Sequence, residues 1–342
     1  MLYVGKLPYG STGLGRANAI KSFSRAFDSV DLCKYFPSGE RGIYSLERLL
    51  GIGPHVYKFN RELIHAANKL RPDIIFVDKG LLVYPETLSI LSRTAWRSLL
   101  VHYSPDDQFN PSNSSRNYRA GIALYDVHIT TKIPNLIELK SSGARVTMLM
   151  KNGFNPRVHR PIPHSSELAQ KYGADISFVG AFEDQRAASI HSLESLGLKT
   201  RIWGPGWKKW PYSITSGVKI EQKSVWGEDY VAIVNHTKIN LCFLRKVNRD
   251  VTTSRSVEIP ACCAFMLAER TNEHLEMFEE GKQAEFFSSV DELKEKALFY
   301  LRNDIARVAI AKQGLKRAQQ EFSYDRILKD IFNKLCEIKS DL

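Results

Sequence analysis

The groups best suited to chemistry in this chain of 342 residues are two acidic side chains with hydroxyls and an arginine between them. Asp250 and Glu258 are separated by seven residues, among them Ser254 and Arg255, and a short apolar helix is predicted at Val257–Cys263. Serine and threonine at a helix start accept hydrogen bonds from unpaired backbone N–H groups, and this positive end of a helix binds anions. Arg255 could add a bidentate contact to a phosphate, and Glu258 could accept hydrogen bonds from ribose hydroxyls. Together these groups are suited to holding a nucleoside diphosphate that carries a substituent.

This stretch resembles the donor-binding segment of retaining glycosyltransferases with two Rossmann-like domains, the GT-B fold (glycosyl transferases group 1, glycosyltransferase family 4-like). The run R-S-V-E-I-P-A-C-C-A-F-M-L, which begins at Arg255, is most similar to the CgeB-like (spore-maturation type) branch. The sequence departs from the family pattern at two positions. Asp250 stands where the wider family has a glutamate, and Cys263 stands where a small residue, often glycine, is expected. A cysteine fits sterically at a buried position of this kind.

The resemblance implies a reaction and a set of roles. A hexosyl or related group would move from a nucleoside-diphosphate sugar, with UDP as the expected nucleotide, to a glycan, lipid-linked or protein acceptor with retention of configuration. Glu258 would bind the ribose, Arg255 and Ser254 would hold the phosphates, and Asp250 would face the sugar as a catalytic carboxylate. Cationic and N–H donors aimed at the departing diphosphate lower the barrier. No further cofactor and no metal ion would be required.

A turn early in the second half of the chain carries two further candidates for donor binding. Gly180 follows a predicted strand and leaves the backbone accessible there, and Arg186 lies on the first turn of the next helix. The resembled family segment, G-x-x-x-x-x-R, implies contact with phosphate or donor. A surface ion pair between Arg186 and Asp184 is the alternative.

Three more candidates precede the acidic pair. Lys246 follows the predicted strand Ile239–Leu244 and could neutralise the leaving group, or form part of a solvated charge pair. Trp226 and Gly227 stand before a short predicted helix and could contact the base through the backbone.

A glycine-rich turn follows the first predicted strand. Gly10, Gly13 and Gly15 have the spacing G-x-x-G-x-G, which lets backbone N–H groups approach an anion or a sugar. The spacing differs from the dinucleotide fingerprint, although Asp31 falls roughly where a ribose-binding acid would lie. In the resembled fold this loop touches donor phosphate or acceptor. A tight turn without a ligand is the alternative.

Polar residues also follow the predicted strand Ser98–His102. His102, Asp106 and Asp107 could perform acid–base chemistry or orient an acceptor hydroxyl, and we assign His102 and Asp107 provisionally to the catalytic set and Asp106 to the acceptor loop. Adjacent side chains of an extended segment point in opposite directions, so at most one carboxylate is expected to face a substrate. The alternative is a turn beside a core histidine. No second cluster of ligands supports a metal site.

Apolar segments alternate with segments of helical periodicity along the whole chain. Strands that are apolar throughout and alternate with helices indicate parallel sheets covered on both faces. The predicted strands are Leu2–Val4, Asp73–Val77, Ser98–His102, Asp126–Thr130, Arg145–Met150, Ile176–Val179, Thr200–Trp203, Val218–Ile220, Ile239–Leu244, Phe265–Ala268 and Glu285–Phe287. The predicted helices are Leu14–Phe27, Asn60–Leu70, Pro85–Ser92, Pro134–Ser141, Asp184–Leu196, Asp229–Asn235, Val257–Cys263, Val290–Glu321 and Tyr324–Ile338.

The alternation occurs twice, with a proline-rich stretch at Asn152–Ser166 between the two blocks. The sequence therefore predicts an α/β protein with two Rossmann-like doubly wound domains facing a cleft. The predicted parts are an N-terminal acceptor domain at 1–155, a linker at 156–174, a nucleotide-sugar donor domain at 175–322, and a helix at 323–342. In the resembled fold this last helix crosses back to the first domain.

Composition limits the classes of partner. The net charge of +11 favours phosphate-bearing substrates or an anionic membrane. Nucleic acid is not expected, because the basic residues are scattered and no zinc spacing or RNP-like motif occurs. No apolar run reaches about 18 residues, so no transmembrane helix is expected. The five cysteines form no C-x-x-C pair and are expected to be reduced core thiols of a cytoplasmic protein, with peripheral contact at the inner face of the membrane left open.

Two other functional classes remain open at this stage. One is a sugar-nucleotide epimerase of the same fold, or a nicotinamide enzyme that uses the loop at Gly10–Gly15. The other is a non-catalytic basic module that binds an anionic polymer or membrane.

Overall fold

The computed structural model describes residues 1–37, 42–213 and 217–340. The chain forms two compact units. Unit 1 consists of Met1–Lys151, Val247–Arg249 and Asp325–Leu342, and unit 2 consists of Asn152–Lys246 and Asp250–Tyr324.

Unit 1 contains a six-stranded parallel sheet with the order β2-β1-β3-β4-β5-β6. Its strands are β1 (Leu2–Gly5), β2 (Asp28–Asp31), β3 (Ile74–Asp78), β4 (Leu99–Ser104), β5 (Val127–Thr130) and β6 (Val146–Leu149). Its helices are α1 (Thr12–Phe23), α2 (Ile43–Leu50), α3 (Pro54–Leu70), α4 (Pro85–Ser92), α5 (Arg116–Gly121) and α6 (Ile133–Ser141). The central strands β3 and β4 are buried along their whole length, as expected when both faces of a sheet are covered.

Unit 2 contains a second six-stranded parallel sheet, with the order β12-β11-β10-β7-β8-β9. Its strands are β7 (Ala174–Val179), β8 (Thr200–Trp203), β9 (Val218–Ile220), β10 (Thr237–Cys242), β11 (Met266–Glu269) and β12 (Glu285–Phe287). Its helices are α7 (Ser166–Tyr172), α8 (Asp184–Ser192), α9 (Gly227–Asn235), α10 (Arg255–Ala261), α11 (Asn272–Met277), α12 (Val290–Arg302) and α13 (Asp304–Glu321).

The last helix, α14 (Tyr324–Ser340), belongs from Asp325 onward to unit 1, as the resemblance implied. Its Phe332 ring lies 5.9 Å from the ring of Phe76 on β3 and 5.3 Å from that of Phe23 on α1. Lys339 near its end donates a hydrogen bond to the Asp73 carboxylate at 3.0 Å. Residues 341–342 of the predicted crossover segment lie outside the described residues.

In each sheet the strand order reverses once, between β1 and β3 in unit 1 and between β7 and β10 in unit 2. Because crossovers between parallel strands are right-handed, helices before and after the reversal cover opposite faces of the sheet. The predicted fold class of two doubly wound α/β domains is therefore confirmed. Such folds bind ligands outside the carboxyl ends of the strands at the reversal.

The structure corrects several predicted elements. The continuous helix predicted over 290–321 is wrong, because Asn303 has a non-helical backbone and separates α12 from α13. The predicted linker at 156–174 contains helix α7. Strand β2 and helices α2 and α5 were not predicted. The cysteines are only partly core residues, since Cys242 and Cys262 are buried and Cys336 is exposed.

Candidate functional site

The strand reversal of unit 2 brings together several of the predicted donor-binding residues. Strands β7 and β10 are adjacent and parallel, so the loops that follow them leave the sheet side by side. The loop after β7 carries Gly180 and leads to Arg186 on α8, and the loop after β10 carries Arg245 and Lys246. The carboxyl edge of this sheet at the reversal is the candidate site.

Two arginines lie against the ring of Phe178 near the end of β7. The guanidinium carbons of Arg186 and Arg255 are 5.5 Å and 5.6 Å from the ring centroid. Arg186 is only 3% exposed, and its Nη1 donates to the backbone oxygen of Ala181 at 2.9 Å. Its Nη2 and the Nε of Arg255 are buried without a hydrogen-bond partner in the described part of the chain. Two cationic groups thus have unused donors at one place in the fold.

The charge environment of Arg186 shows the cost of this arrangement. Burial, and next the neighbouring charge of Arg255, lower the pKa of Arg186, while Glu183, Glu269 and Asp250 oppose the shift. Glu183 forms an ion pair with Arg186, with its Oε2 3.6 Å from the Arg186 Nε. Buried like charges with unpaired donors destabilise a fold, and residues of this kind cluster at functional sites.

The loop after β10 adds two exposed cations that already have partners. The Nε of Arg245 lies 3.3 Å from Glu183, and the Nζ of Lys246 lies 3.2 Å from Glu269 at the end of β11. Asp250 accepts a hydrogen bond from the backbone N–H of Arg245 at 3.3 Å. Asp250 is therefore held close to the loop that carries both cations.

Glu258, on α10, lies beside a histidine that the sequence did not indicate. The Nε2 of His159 is 3.7 Å from the Glu258 Oε1, and both side chains are largely buried. The His159 ring packs edge-on against Tyr230, with centroids 5.8 Å apart. Burial lowers the pKa of His159, with Glu258 opposing the shift, so the ring is neutral at pH 7. Glu258 therefore faces a neutral imidazole on one side.

The start of α10 differs from the predicted capped helix. Ser254 occupies the N-cap position with a helical backbone, and its side chain makes no capping hydrogen bond. The neighbouring Ser256 is buried instead, where its hydroxyl accepts from the backbone N–H of Thr253 at 3.0 Å and lies 2.7 Å from the Nε2 of His274. The Nδ1 of His274 is 2.7 Å from the backbone oxygen of Glu269. This chain of contacts ties the start of α10 to the end of β11.

The backbone at Gly180, just after β7, packs so closely on the loop after β8 that position 204 has room only for glycine, and a Cβ on Gly180 itself would lie 2.5 Å from the ring of Phe178. The backbone oxygen of Gly180 would lie 2.0 Å from a Cβ at Gly204, and it accepts a hydrogen bond from the indole of Trp207 at 2.8 Å. Trp203 and Trp207 are fully buried and pack the loop. The predicted contacts Trp226 and Gly227 lie at the start of α9, where Trp226 is exposed and Gly227 has a positive φ of 58°.

In unit 1 the glycine-rich turn lies at the other strand reversal, after β1. Gly10 has a positive φ of 76°, and Ser11 caps α1 by accepting from the N–H of Leu14 at 3.1 Å. A Cβ on Gly13 would lie 2.4 Å from the backbone oxygen of Lys6, so this glycine is needed for packing. Gly15 lies inside α1 and is buried.

The arginine that ends this motif faces the core. The Nη2 of Arg16 lies 2.6 Å from Asp78, and Tyr3 donates to the same carboxylate oxygen at 2.5 Å. Asp31 accepts hydrogen bonds from the backbone N–H groups of Leu7 and Cys33 at 3.1 Å and 2.9 Å. The side chains of Arg16 and Asp31 are therefore both engaged in contacts within the protein around this turn.

The three polar residues singled out after β4 have different surroundings in the structure. His102 is buried, with its Nδ1 3.3 Å from that of His128, and burial lowers its pKa well below the ordinary value. Asp106 pairs with Lys79 at 2.5 Å near the surface. Asp107 is buried and binds Arg249 in a bidentate pair at 2.6 Å. We therefore interpret His102 and Asp107 as structural residues, which departs from the roles predicted for them.

No group of three or more histidine, cysteine, aspartate or glutamate side chains within residues 1–37, 42–213 and 217–340 is arranged to hold a metal ion. In the same three ranges, no helix is both long enough and apolar enough to cross a membrane.

One family model matches part of the sequence. The family model described as glycosyl transferase-like matches residues 186–333, which is less than half of the chain and includes most of α8, all of α10, Arg186 and Arg255. None of the curated protein sequences matches the chain.

Solved structures match the chain over nearly its whole length. HepE of Anabaena in complex with UDP is 15% identical with a TM-score of 0.63, and the match covers 98% of this chain and 99% of that one. Sucrose-phosphate synthase of Thermosynechococcus elongatus is 10% identical with a TM-score of 0.67, covering 100% and 99%. A putative UDP-N-acetylglucosamine 2-epimerase of Listeria monocytogenes is 12% identical with a TM-score of 0.52, covering 93% of both. The chain is similar to these proteins in fold, and that fold is GT-B.

Proposed function

We propose that this protein is a glycosyltransferase that uses a nucleoside-diphosphate sugar, with UDP as the nucleotide. The observation that carries the proposal is the pair Arg186 and Arg255, whose buried donors lack acceptors at the strand reversal of unit 2. A diphosphate supplies several anionic oxygens, which would satisfy these donors and relieve the repulsion between the two cations. The match of residues 186–333 to the glycosyl transferase-like model and the UDP bound to HepE support the same reading.

The two arginines would act on the step that breaks the sugar–phosphate bond. Negative charge grows on the diphosphate as the anomeric carbon–oxygen bond breaks, and fixed cations nearby stabilise that charge without reorganising. Removing one such donor typically lowers the rate about 10²–10³-fold. Lys246 and Arg245 stand at the next loop and would add to the positive field. Gly180 would let the backbone approach the phosphates.

Glu258 would bind the ribose, and Asp250 would face the sugar. The neutral ring of His159 beside Glu258 leaves that carboxylate without a counter-ion on that side, so it remains a strong acceptor for hydroxyl donors. Asp250 is held beside the Arg245 backbone, in the loop that leads to Arg255. Trp226 and Gly227 at the start of α9 are proposed to contact the base, and Ser254 to contact phosphate.

The finer assignments follow from the resemblance to the CgeB-like branch and remain part of the proposal. They are transfer with retention and without a metal ion, and a glycan, lipid-linked or protein acceptor bound by the loops of unit 1 that carry Gly10 and Asp106. The donor domain is proposed at 175–322, and the protein is proposed to act in the cytoplasm.

The test is binding of UDP and of uridine to Arg186→Met and Arg255→Gln, measured by titration calorimetry. We expect each variant to weaken UDP binding about tenfold or more, because a charge-assisted bond is lost, and to leave uridine binding unchanged. Arg186→Met should also fold at least as stably as the wild type, because it removes a buried charge whose hydrogen bonds are incomplete. Arg145→Gln removes an exposed cation and serves as the control for net charge. Unchanged UDP affinity in both variants would refute the phosphate assignment.

A sugar-nucleotide epimerase is the second candidate, favoured by the likeness to the putative epimerase of Listeria monocytogenes. Both activities would use the same nucleotide site. Conversion of UDP-N-acetylglucosamine without any acceptor, followed by proton NMR, would select the epimerase, and release of UDP only when an acceptor is present would select the transferase.

A further inference from the structure

Helix α2 of unit 1 has its apolar side chains on the outside. Its one buried residue is Glu47, which is 4% exposed, whereas the leucines and isoleucine around it face solvent. Together with two neighbours in the following turn and helix they form a surface that we call the α2 patch. The α2 patch consists of Ile43, Leu46, Leu49, Leu50, Ile52 and Tyr57, which are 53% to 81% exposed.

The orientation of α2 is fixed by contacts on its inner side. Glu47 accepts hydrogen bonds from the backbone and the ring of His55, both at 3.0 Å. Tyr44 packs on the same ring, with centroids 4.5 Å apart. Asn117 donates to the backbone oxygen of Gly51 at 2.7 Å and holds the end of the helix. These contacts hold the inner side of α2 against unit 1 and leave its apolar residues on the outside.

The exposed charges along this segment are mainly positive. From Ile43 to Glu62 the exposed charged residues are the basic Arg48, Lys58 and Arg61 and the acidic Glu62, whereas Glu47 is buried. The guanidinium of Arg61 lies 5.9 Å from the ring centroid of Tyr57. Arg48 is also close enough to Lys6, in the loop after β1, to help lower its pKa after partial burial. An apolar surface bordered by cations is the composition of helices that lie in the interface of anionic membranes.

We propose that the α2 patch docks unit 1 onto an anionic lipid bilayer. The apolar side chains would enter the boundary between headgroups and acyl chains, and Arg48, Lys58 and Arg61 would contact lipid phosphates. Large apolar side chains exposed together mark interaction sites, so the α2 patch is a site for a partner. The positive border selects a negatively charged surface among apolar partners.

The α2 patch and the two arginines consist of different residues, the patch in unit 1 and the arginines in unit 2, so a substitution in one leaves the residues of the other in place. Membrane binding and UDP binding can therefore be measured and lost independently. If both hold, the loops of unit 1 after β1 and β4 would meet an acceptor carried by lipid.

The test is co-sedimentation of the full chain with vesicles of phosphatidylcholine alone and of phosphatidylcholine with 30% phosphatidylglycerol, a composition of about one anionic lipid in three. We expect the wild type to bind the anionic vesicles at least tenfold more strongly, and added salt to weaken that binding. Leu46→Gln with Leu49→Gln should reduce binding at least tenfold, because two apolar side chains no longer enter the bilayer. Ile305→Gln changes an isoleucine that is 89% exposed on α13 of unit 2 and should bind as the wild type does.

Unaltered UDP affinity and circular dichroism would show that the double variant is folded. Equal vesicle binding by the wild type and the double variant would overturn the proposal. A second result would also overturn it: the wild type does not bind vesicles and sediments as a dimer, whereas the double variant sediments as a monomer. The α2 patch would then join two copies of this chain.

Discussion

Asp107→Asn should destabilise unit 1 by about 2 kcal/mol at pH 7. The Asp107 carboxylate accepts from Nε and Nη2 of Arg249, both at 2.6 Å, and from Asn135 at 2.8 Å. Hydrogen bonds to charged groups contribute about 1.5–3 kcal/mol each, but Arg249 is 38% exposed, so water replaces part of what is lost. The remaining loss is a large fraction of the 5–15 kcal/mol that stabilises an ordinary domain.

The effect should depend on pH in a defined direction. Burial alone raises the pKa of Asp107, but hydrogen bonds from Arg249 and Asn135 outweigh burial and leave the pKa below the ordinary value. Arg249 likewise lowers the pKa of Glu138, its second partner. A carboxyl group whose pKa is lowered by folding contributes stability above its unfolded pKa of about 3.9, and this contribution is lost as the pH falls through the folded value. The difference between wild type and variant should therefore shrink from pH 7 to pH 3.

Peptide-resolved hydrogen exchange in urea measures each unit separately. The free energy of opening of β4 in unit 1 should fall by about 2 kcal/mol in the variant, whereas that of β10 in unit 2 should not change. Glu138→Gln and the double variant complete a cycle, in which the two losses should not add because both act through Arg249. The interpretation of Asp107 as structural fails if β4 opens as in the wild type while sugar transfer is lost, or if the difference persists unchanged at pH 3.

Two further substitutions test other features of the backbone and core. Cys263 has a positive φ of 56°, so Cys263→Gly should stabilise unit 2 by up to about 1 kcal/mol in thermal unfolding. Cys263→Ala keeps the backbone strain and should give no gain in stability. Equal changes in both variants would mean that loss of the thiol, and not relief of backbone strain, changes the stability. Asp78→Asn should cost unit 1 about 3–5 kcal/mol because it leaves the buried guanidinium of Arg16 without its counter-ion. Asp73→Asn, at an exposed pair with Lys339, should change stability by less than about 1 kcal/mol and is the control; similar losses in both would contradict the argument from burial.

Much of the fold could be predicted because the sheets are parallel and buried. Strands β3 and β11 were predicted to within one residue of their observed bounds, since short apolar segments between helical ones have few alternatives. Strand β2 was missed because its sequence, DSVD, is polar and lies at a sheet edge. The break between α12 and α13 was missed although Asn303 and Asp304 are residue types favoured at a helix start, because segments of helical periodicity lie on both sides of them.

The sequence predicts which segments contribute residues to the site, but not which of these segments lie side by side. Gly180 and Arg186 follow a strand that the sequence indicates, so their position at the carboxyl edge of the sheet could be predicted. His159 comes from a proline-rich segment without periodicity, and nothing in the sequence placed it beside Glu258. His102 shows the converse limit, because a strand end that could face a ligand is here covered by His128, Tyr118 and Tyr125 from other elements.

The path of the chain makes unit 2 an insertion into unit 1. The chain leaves unit 1 after Lys151 and rejoins it at Asp325, and Val247–Arg249 returns to unit 1 for three residues in between. A gene fragment that ends at Lys151 would therefore lack α14 and would leave Asp107 and Glu138 without Arg249. Residues 152–324 form one continuous segment, which could be exchanged as a whole with the matching segment of another protein of this fold. This segment contains Arg249, so the recipient would have to supply two carboxylates in the places of Asp107 and Glu138.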